Sequence, residues 1–276
     1  MKPILDSGRF GPWALVTGAS SGIGTEIARH IAASGINLVL VARRVARLQE
    51  VGRALAADFG VAYRAVEADL SSASFFAPVE RATADLELGL LVGNAGFPSP
   101  GELWTLDRDE LMKAIHVKVN ANLTLVHHFA PGFVRRRRGG ILLVSSVGGL
   151  NGVPYVTNTA AVEAYVLTLG EGLHVELARH GVNVTVLMPG PTLTESMEKM
   201  GVDPSDMPLP PMPAERVAAE GLRALQRNRA THVAGRINRV MSRLMPRSIA
   251  TAVMGAMIGK RFAARALGSA IAGSGN

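Results

Sequence analysis

The chain has 276 residues, 48% of them hydrophobic and 18% charged, a composition that buries a sizeable core and excludes a disordered polyelectrolyte. With no cysteine, it has no disulfides, no thiol nucleophile and no cysteine-ligated zinc, which fits a cytoplasmic setting. The net charge of +7 is unevenly placed: residues 221–276 hold 10 Lys/Arg and no Asp/Glu, while residues 1–220 hold 19 against 22.

Lys2, Asp6 and Arg9 interrupt the first residues, so no signal-peptide core is expected there. No run approaches the roughly 18 apolar residues that span a bilayer. Short runs rich in Val, Leu and Ile predict strands at Trp13–Thr17, Asn37–Ala42, Ala62–Glu67, Leu88–Gly93, Ile141–Ser145 and Val182–Met188. Amphipathic patterns between and after them predict helices near 23–34, 44–57, 72–84, 108–136, 156–179 and 214–227. Strand and helix alternating in this way predict an α/β fold, a doubly wound parallel sheet with helices on both faces. The proline-rich stretch 201–213 reads as an extended loop. The expected organisation is one nucleotide-binding domain over 1–235 and a basic helical extension over 236–276.

Residues 17–24 read TGASSGIG, after the first strand and before the first helix. Gly18, Gly22 and Gly24 suit a tight turn, close backbone approach to a pyrophosphate, and close helix-to-strand packing. The helix N-terminus beyond presents N–H groups and the positive end of a dipole. This placement between strand and helix points to a dinucleotide site.

Together with GNAG at 93–96, LVSS at 143–146 and MPGPTLTE at 188–195, this turn resembles the ordered motifs of the short-chain dehydrogenases/reductases, over roughly residues 10–195. The opening FGPWALVTGASSGIG is also similar to a branch acting on lipid-like or steroid-like carbonyls, which implies a bulky apolar small-molecule substrate. The resemblance implies a Rossmann-type fold and carries cofactor-binding positions onto Gly18, Ser20, Ser21, Gly22, Ile23 and Gly24. Further positions fall on Arg43, Arg44, Asp69, Leu70, Asn94, Ala95, Gly96, Pro189, Gly190, Thr192 and Thr194. It implies Asp69 near the adenine amine, Asn94 near the adenosine ribose, and Gly190, Thr192 and Thr194 along the pyrophosphate and nicotinamide. An acidic residue after the second strand would favour NAD, whereas this chain has Ala42 and then two arginines, which attract a 2′-phosphate. NADP(H) is therefore expected over NAD(H).

The family's catalytic set is a tyrosine, a lysine four residues later, a serine 13 before the tyrosine, and an asparagine. Ser146 fits the serine, but the tyrosine position falls on Thr159 and the lysine position on Glu163. Counting 13 back from Pro131, taken to end the fourth helix, puts the asparagine position on Lys118. A threonine hydroxyl is far too weak an acid to replace a tyrosine whose pKa a lysine has lowered. An ionised Glu163 opposes the charge that develops on a carbonyl oxygen. Lys118 and Glu163 are expected to form a buried or half-buried ion pair in place of the proton relay, since either alone is heavily penalised. Glu163 accepting the nicotinamide-ribose hydroxyls is an alternative. Tyr155, one helical turn before Thr159, and His116 are further candidate proton donors. His127 and His128 have no partner at metal-ligand spacing, and no metal is expected.

Four readings stay open: an oxidoreductase with a displaced proton donor, a silent cofactor- or ligand-binding protein, a non-redox enzyme on the same scaffold, and a reductase whose catalytic residues were deliberately changed. Long apolar helices over 108–136 and 156–179 predict a homodimer or homotetramer, as the resemblance implies. Arg135–Arg138 reads as cations satisfying a helix C-terminus, with no nucleic-acid role. The segment 236–265 reads as helices capping the cleft or an interface, or as a helix lying on an anionic membrane.

Overall fold

The apolar runs pair because the central ones are covered on both faces and have their backbone groups satisfied by their neighbours. The computed structural model describes residues 1–195, 197, 210–256, 258 and 259. Strands β1 (Trp13–Thr17), β2 (Asn37–Ala42), β3 (Tyr63–Glu67), β4 (Leu88–Gly93), β5 (Gly140–Val144) and β6 (Asn183–Met188) lie within a residue of the expected segments. Two short strands, β7 (Thr192–Leu193) and β8 (Met212–Pro213), pair separately. A further strand, β9 (Thr231–Val233), pairs with β6 and completes a parallel sheet of order β3-β2-β1-β4-β5-β6-β9. The order reverses between β1 and β4, so a crevice opens there at the carboxyl ends of the strands.

Alternate residues of each strand feed opposite cores. Ala14, Val16, Leu38, Leu40, Leu90 and Val92 pack on one face. Leu15, Val39, Val41, Leu91, Ile141 and Leu143 pack on the other. Each fully buried Val or Leu contributes about 1.5–3 kcal/mol relative to exposure. A four-residue helix, α1 (Ser7–Phe10), precedes β1. Helices α2 (Gly22–Ala32) and α3 (Val45–Phe59) pack on the first face. The expected helix at 72–84 starts late, as α4 (Phe76–Thr83), because Ser72 and Ser74 bond each other and the Ser74 amide in a turn that competes with helix.

The expected helix over 108–136 is not continuous. It divides into α5 (Arg108–Ile115), a π turn over His116–Asn120, and α6 (Ala121–Arg136). Pro131 does not end it: α6 runs through the proline to Arg136, and Arg137 stops it in the left-handed conformation at φ 52°. The π turn is held by Asn122 Nδ2 donating to the Lys118 carbonyl at 2.7 Å. Helix α7 (Thr157–Ala178) places Ala160, Glu163, Val166 and Gly170 on its buried face, so a carboxyl stands in an otherwise apolar stripe. Helix α8 (Ala214–Gln226) packs against α2.

The arginines at the end of α6 are spent on the body of the protein: Arg136 donates to Leu88 O at 2.5 Å, Arg137 to Arg179 O at 3.3 Å, and Arg138 to Gly8 O at 2.6 Å. The C-terminal part forms α9 (Arg236–Leu244) and a helix over 247–256. Both dock on the carboxyl end of the sheet. A Cβ at Gly190 would lie 2.4 Å from Asn238 Nδ2, one at Gly255 would lie 3.0 Å from Pro154 Cγ, and one at Gly259 would lie 3.0 Å from the Tyr155 hydroxyl. The loop residues 201–209 and the segment residues 257 and 260–265 lie outside the described residues. Among the described residues no helix is long and apolar enough to cross a membrane.

Candidate active site

The crevice is built first by the β1–α2 turn. Gly18 and Gly22 adopt φ of +66° and +58°, which a side chain disfavours. Gly24 sits so tightly that a Cβ there would lie 2.2 Å from Gly18 O and 2.5 Å from Asn94 Nδ2. The Asn94 amide donates to Thr17 O at 3.0 Å, and the Asn94 and Ala95 backbone amides donate to Thr17 Oγ1 at 2.9 and 3.2 Å. The GNAG segment therefore pins the glycine turn to the end of β4. Ser21 precedes α2 and makes no capping bond with its hydroxyl. Gly24→Ala is expected to cost about 1–3 kcal/mol or more, because the clash is with backbone that cannot swing away. A thermal melt lying on the wild-type curve would contradict that packing.

After β3, Asp69 accepts from the Ser71 amide at 3.0 Å and the Ser71 hydroxyl at 2.7 Å. Partial burial works to raise its pKa, but these bonds, with Arg43 and Lys113 nearby, hold the carboxyl below its ordinary value. Leu70 is buried beside it. Arg44 Nη2 donates to Ser20 Oγ at 3.2 Å and pairs with Glu195 Oε2 at 3.0 Å. The Thr194 methyl lies over Gly22, 2.9 Å from where a Cβ would stand. Thr192 Oγ1 donates to Gly190 O at 2.8 Å, and Pro189 O accepts from the Val147 amide at 2.9 Å. A glycine turn bare of side chains, a helix N-terminus and two arginines with no carboxylate on β2 fit the pyrophosphate and phosphates of a dinucleotide.

The next layer is charged and buried. Lys118, turned inward by the π turn, donates to Val144 O at 2.6 Å and pairs with Glu163 Oε1 at 3.2 Å, with side-chain exposures of 4% and 11%. Glu163 Oε2 is buried with no hydrogen-bond partner. Burial pushes the Glu163 carboxyl above the usual glutamate range, and Lys118 only partly pulls it back. Ser145 Oγ donates to the Glu163 carbonyl at 2.9 Å, tying α7 to the end of β5.

Thr159 Oγ1 accepts from the Ser99 amide at 3.0 Å, and Ser146 Oγ accepts from the Gly148 amide at 3.1 Å. Tyr155 is not one helical turn before Thr159, because α7 begins at Thr157 and Tyr155 stands outside it at φ 64°. Its hydroxyl lies toward Gly259 of the C-terminal segment. His116 Nδ1 shares a 2.8 Å bond with Asn120 Nδ2. His128 packs edge-on against Phe76, with ring centroids 4.8 Å apart. Ser146, Thr159, Lys118 and Glu163 thus present two weakly acidic hydroxyls and a buried ion pair.

The family model described as short chain dehydrogenase matches residues 12–204. The chain belongs to the short-chain dehydrogenase family. It is 30% identical to 7beta-hydroxysteroid dehydrogenase of Clostridium sardiniense over 84% of this chain and 88% of that protein. It is 33% identical to a protein of Pongo abelii named inactive hydroxysteroid dehydrogenase-like protein 1, over 66% of this chain. The match spans 56% of that relative's length. Among solved structures, a 7beta-hydroxysteroid dehydrogenase superposes with a TM-score of 0.83 at 26% identity, covering 90% of this chain and 98% of that one. A short-chain dehydrogenase from Sphingobium yanoikuyae in complex with NADPH gives 0.76 at 32% identity, covering 81% and 87%.

In this family member the structure brings Lys118 and Glu163 together beside the end of β5, sets Arg44 against Ser20 of the glycine turn, and leaves Arg43 near Asp69. Sequence reasoning missed Ser99, the Val144 carbonyl, Ser145 and Glu195. Ser99 and Val144 act through their own backbone groups and Ser145 bonds a backbone carbonyl, and such bonds leave no pattern of residue types. Glu195 had a signal, a carboxylate directly after Thr194 and opposite an expected cluster of arginines.

Proposed function

We propose that the chain binds NADP(H) across the β1–β4 crevice beside a bulky apolar small molecule, and that it does not reduce carbonyls through its family's proton relay. The observation that carries this reading is the buried Lys118–Glu163 pair, 3.2 Å apart, at the relay positions. A bound reduced nicotinamide supplies a hydride. Carbonyl reduction also requires a proton, and the chain's own groups withhold it. Thr159 has a weakly acidic hydroxyl already engaged by Ser99, and the Lys118 ammonium is held by Val144 and Glu163. A negative Glu163 raises the energy of an oxyanion formed nearby. Loss of a positioned general acid costs about 10²–10⁴-fold in rate.

Arg43 and Arg44, following Ala42, support NADP(H) over NAD(H). Similarity to proteins named for hydroxysteroids supports a bulky apolar ligand, and similarity to one named inactive supports weak or absent turnover. The same reading takes residues 1–235 as the nucleotide-binding unit, places the protein in the cytoplasm, and pairs subunits through α6 and α7, where Leu123, Tyr165 and Val175 are exposed.

Calorimetric titration with NADPH and NADH tests the site. NADPH is expected to bind more tightly, and absence of binding by both would overturn the reading. Arg44→Ala is expected to weaken NADPH by about tenfold or more while leaving NADH nearly unchanged, since one charge-assisted bond is worth about 1.5–3 kcal/mol. Equal losses for both cofactors would assign Arg44 elsewhere.

A further inference from the structure

Helix α9 is docked with its polarity reversed. Surface helices normally turn an apolar stripe to the core and charge to water. Here the inward face is polar. Asn238 Nδ2 donates to Ala234 O at 3.0 Å, and Arg239 Nη2 reaches Glu220 Oε2 at 3.4 Å and Val233 O at 3.3 Å. The outward face carries Ile237, Val240, Met241 and Leu244, exposed by 58%, 54%, 46% and 76%. At 3.6 residues per turn these four fall within about 100° of arc, a continuous stripe. No residue of α9 is buried.

The next helix repeats the arrangement. Over 247–256 it turns Ala250 inward, lies against Pro154 through Gly255, and leaves Ile249 and Val253 exposed by 52% and 43%. Arg236, Arg243 and Arg247 are exposed around this apolar surface, and none pairs with a described side chain. Residues 221–276 contain no carboxylate side chain.

We propose that the outward face of α9 and of the helix over 247–256 sits on an anionic lipid bilayer, which places the rim of the ligand crevice at the membrane surface. Apolar side chains enter the interfacial region while the flanking arginines meet lipid phosphates and carboxylates, the pattern of a helix lying in the plane of the membrane. Charge selects this occupant over a second copy of the chain. A two-fold pairing through the same face would set Arg236, Arg243 and Arg247 against their own counterparts, with no acid on either helix to offset them. The docking contacts give the arrangement a use. The polar side of α9 meets Gly190, and the following helix meets Pro154 and Tyr155, so both helices lie between the crevice and whatever they bind. An apolar ligand would then pass from lipid to crevice without crossing water. This inference does not depend on the cofactor reading.

Flotation of the full chain with vesicles tests it. The protein is expected to float with phosphatidylcholine vesicles containing 30% phosphatidylserine and to bind pure phosphatidylcholine about a hundredfold more weakly, at roughly 1 kcal/mol per surface cation. Val240→Glu with Leu244→Glu is expected to lower binding at least tenfold, and Arg236→Gln with Arg243→Gln and Arg247→Gln to remove the lipid-charge dependence. These positions are exposed, so melting temperatures are expected to stay within a few degrees of wild type, which separates lost binding from lost fold. No flotation on phosphatidylserine vesicles overturns the proposal, as does binding that survives both variants. Self-association abolished by the glutamate variant, without vesicle binding, would make the face a contact between copies and overturn it equally.

Discussion

Changing Lys118→Asn, Thr159→Tyr and Glu163→Lys in one chain is expected to raise NADPH-dependent reduction of a bulky ketone by about 10²–10⁴-fold over the unaltered protein. A tyrosine hydroxyl has an ordinary pKa near 10, and a cation placed beside it brings that toward neutrality. Thr159→Tyr alone is expected to gain far less, because Glu163 remains below it as a negative charge and works in the opposite direction. The three changes exchange the buried ion pair for a single cation at position 163, whose burial costs stability but which lowers the pKa of the new phenol. The new ring must displace the Ser99 amide from its 3.0 Å bond to position 159, which costs some stability without touching the glycine turn. Steady-state NADPH oxidation over a panel of ketones measures the gain. If the triple variant binds NADPH as before but gains nothing, the crevice has lost more than its proton-handling groups, and the ion pair is not the reason for silence.

The other large effect is on folding. Lys118→Met leaves Glu163 buried without its cation and is expected to destabilise the protein by about 3–5 kcal/mol at neutral pH. Lys118→Met combined with Glu163→Leu replaces both charges by apolar volume and is expected to be near neutral or more stable than wild type. The two variants also differ with pH. Burial raises the folded-state pKa of Glu163 above its unfolded value, so between those two values the folded state holds the extra proton. Stability contributed by this group is therefore present at low pH and lost as pH rises through the folded pKa. Removing Lys118 raises that pKa further and widens the window, whereas the double variant has no such group. Urea unfolding near pH 5 and pH 8 is expected to show a steep fall for the single variant and none from this site for the double. A single variant as stable as wild type at both pH values would mean that water reaches the pair.

Much of the fold is legible because its signals are periodic or conformational. Five strands buried on both faces read as short runs of Val, Leu and Ile, the half-buried edge strand β3 reads from its flanks, and the glycine turn reads directly from TGASSGIG between a strand and a helix. β9 escaped because three residues, Thr231–Val233, are too few to establish a period. The break of 108–136 into two helices also escaped, since a π turn is held by a side-chain bond to Lys118 O that no residue pattern announces. Pro131 misled in the opposite sense: proline ordinarily stops a helix, yet α6 continues past it on the packing of Val126 and Phe133 into the core. Lys118 and Glu163 were visible as a pair because the family resemblance implies that those two positions lie together, and opposite charges placed there must find each other or water. The outward apolar face of α9 was not readable. Its residue pattern is amphipathic, but only the docking contacts show which side turns inward.

The most direct test loads the purified chain with NADPH, confirms binding by calorimetry, and follows nicotinamide absorbance after adding a bulky ketone. The bound cofactor is expected to be oxidised at least about 10²-fold more slowly than by a relative with its tyrosine in place. Turnover at an ordinary enzymatic rate, about 1–10³ per second, would contradict it.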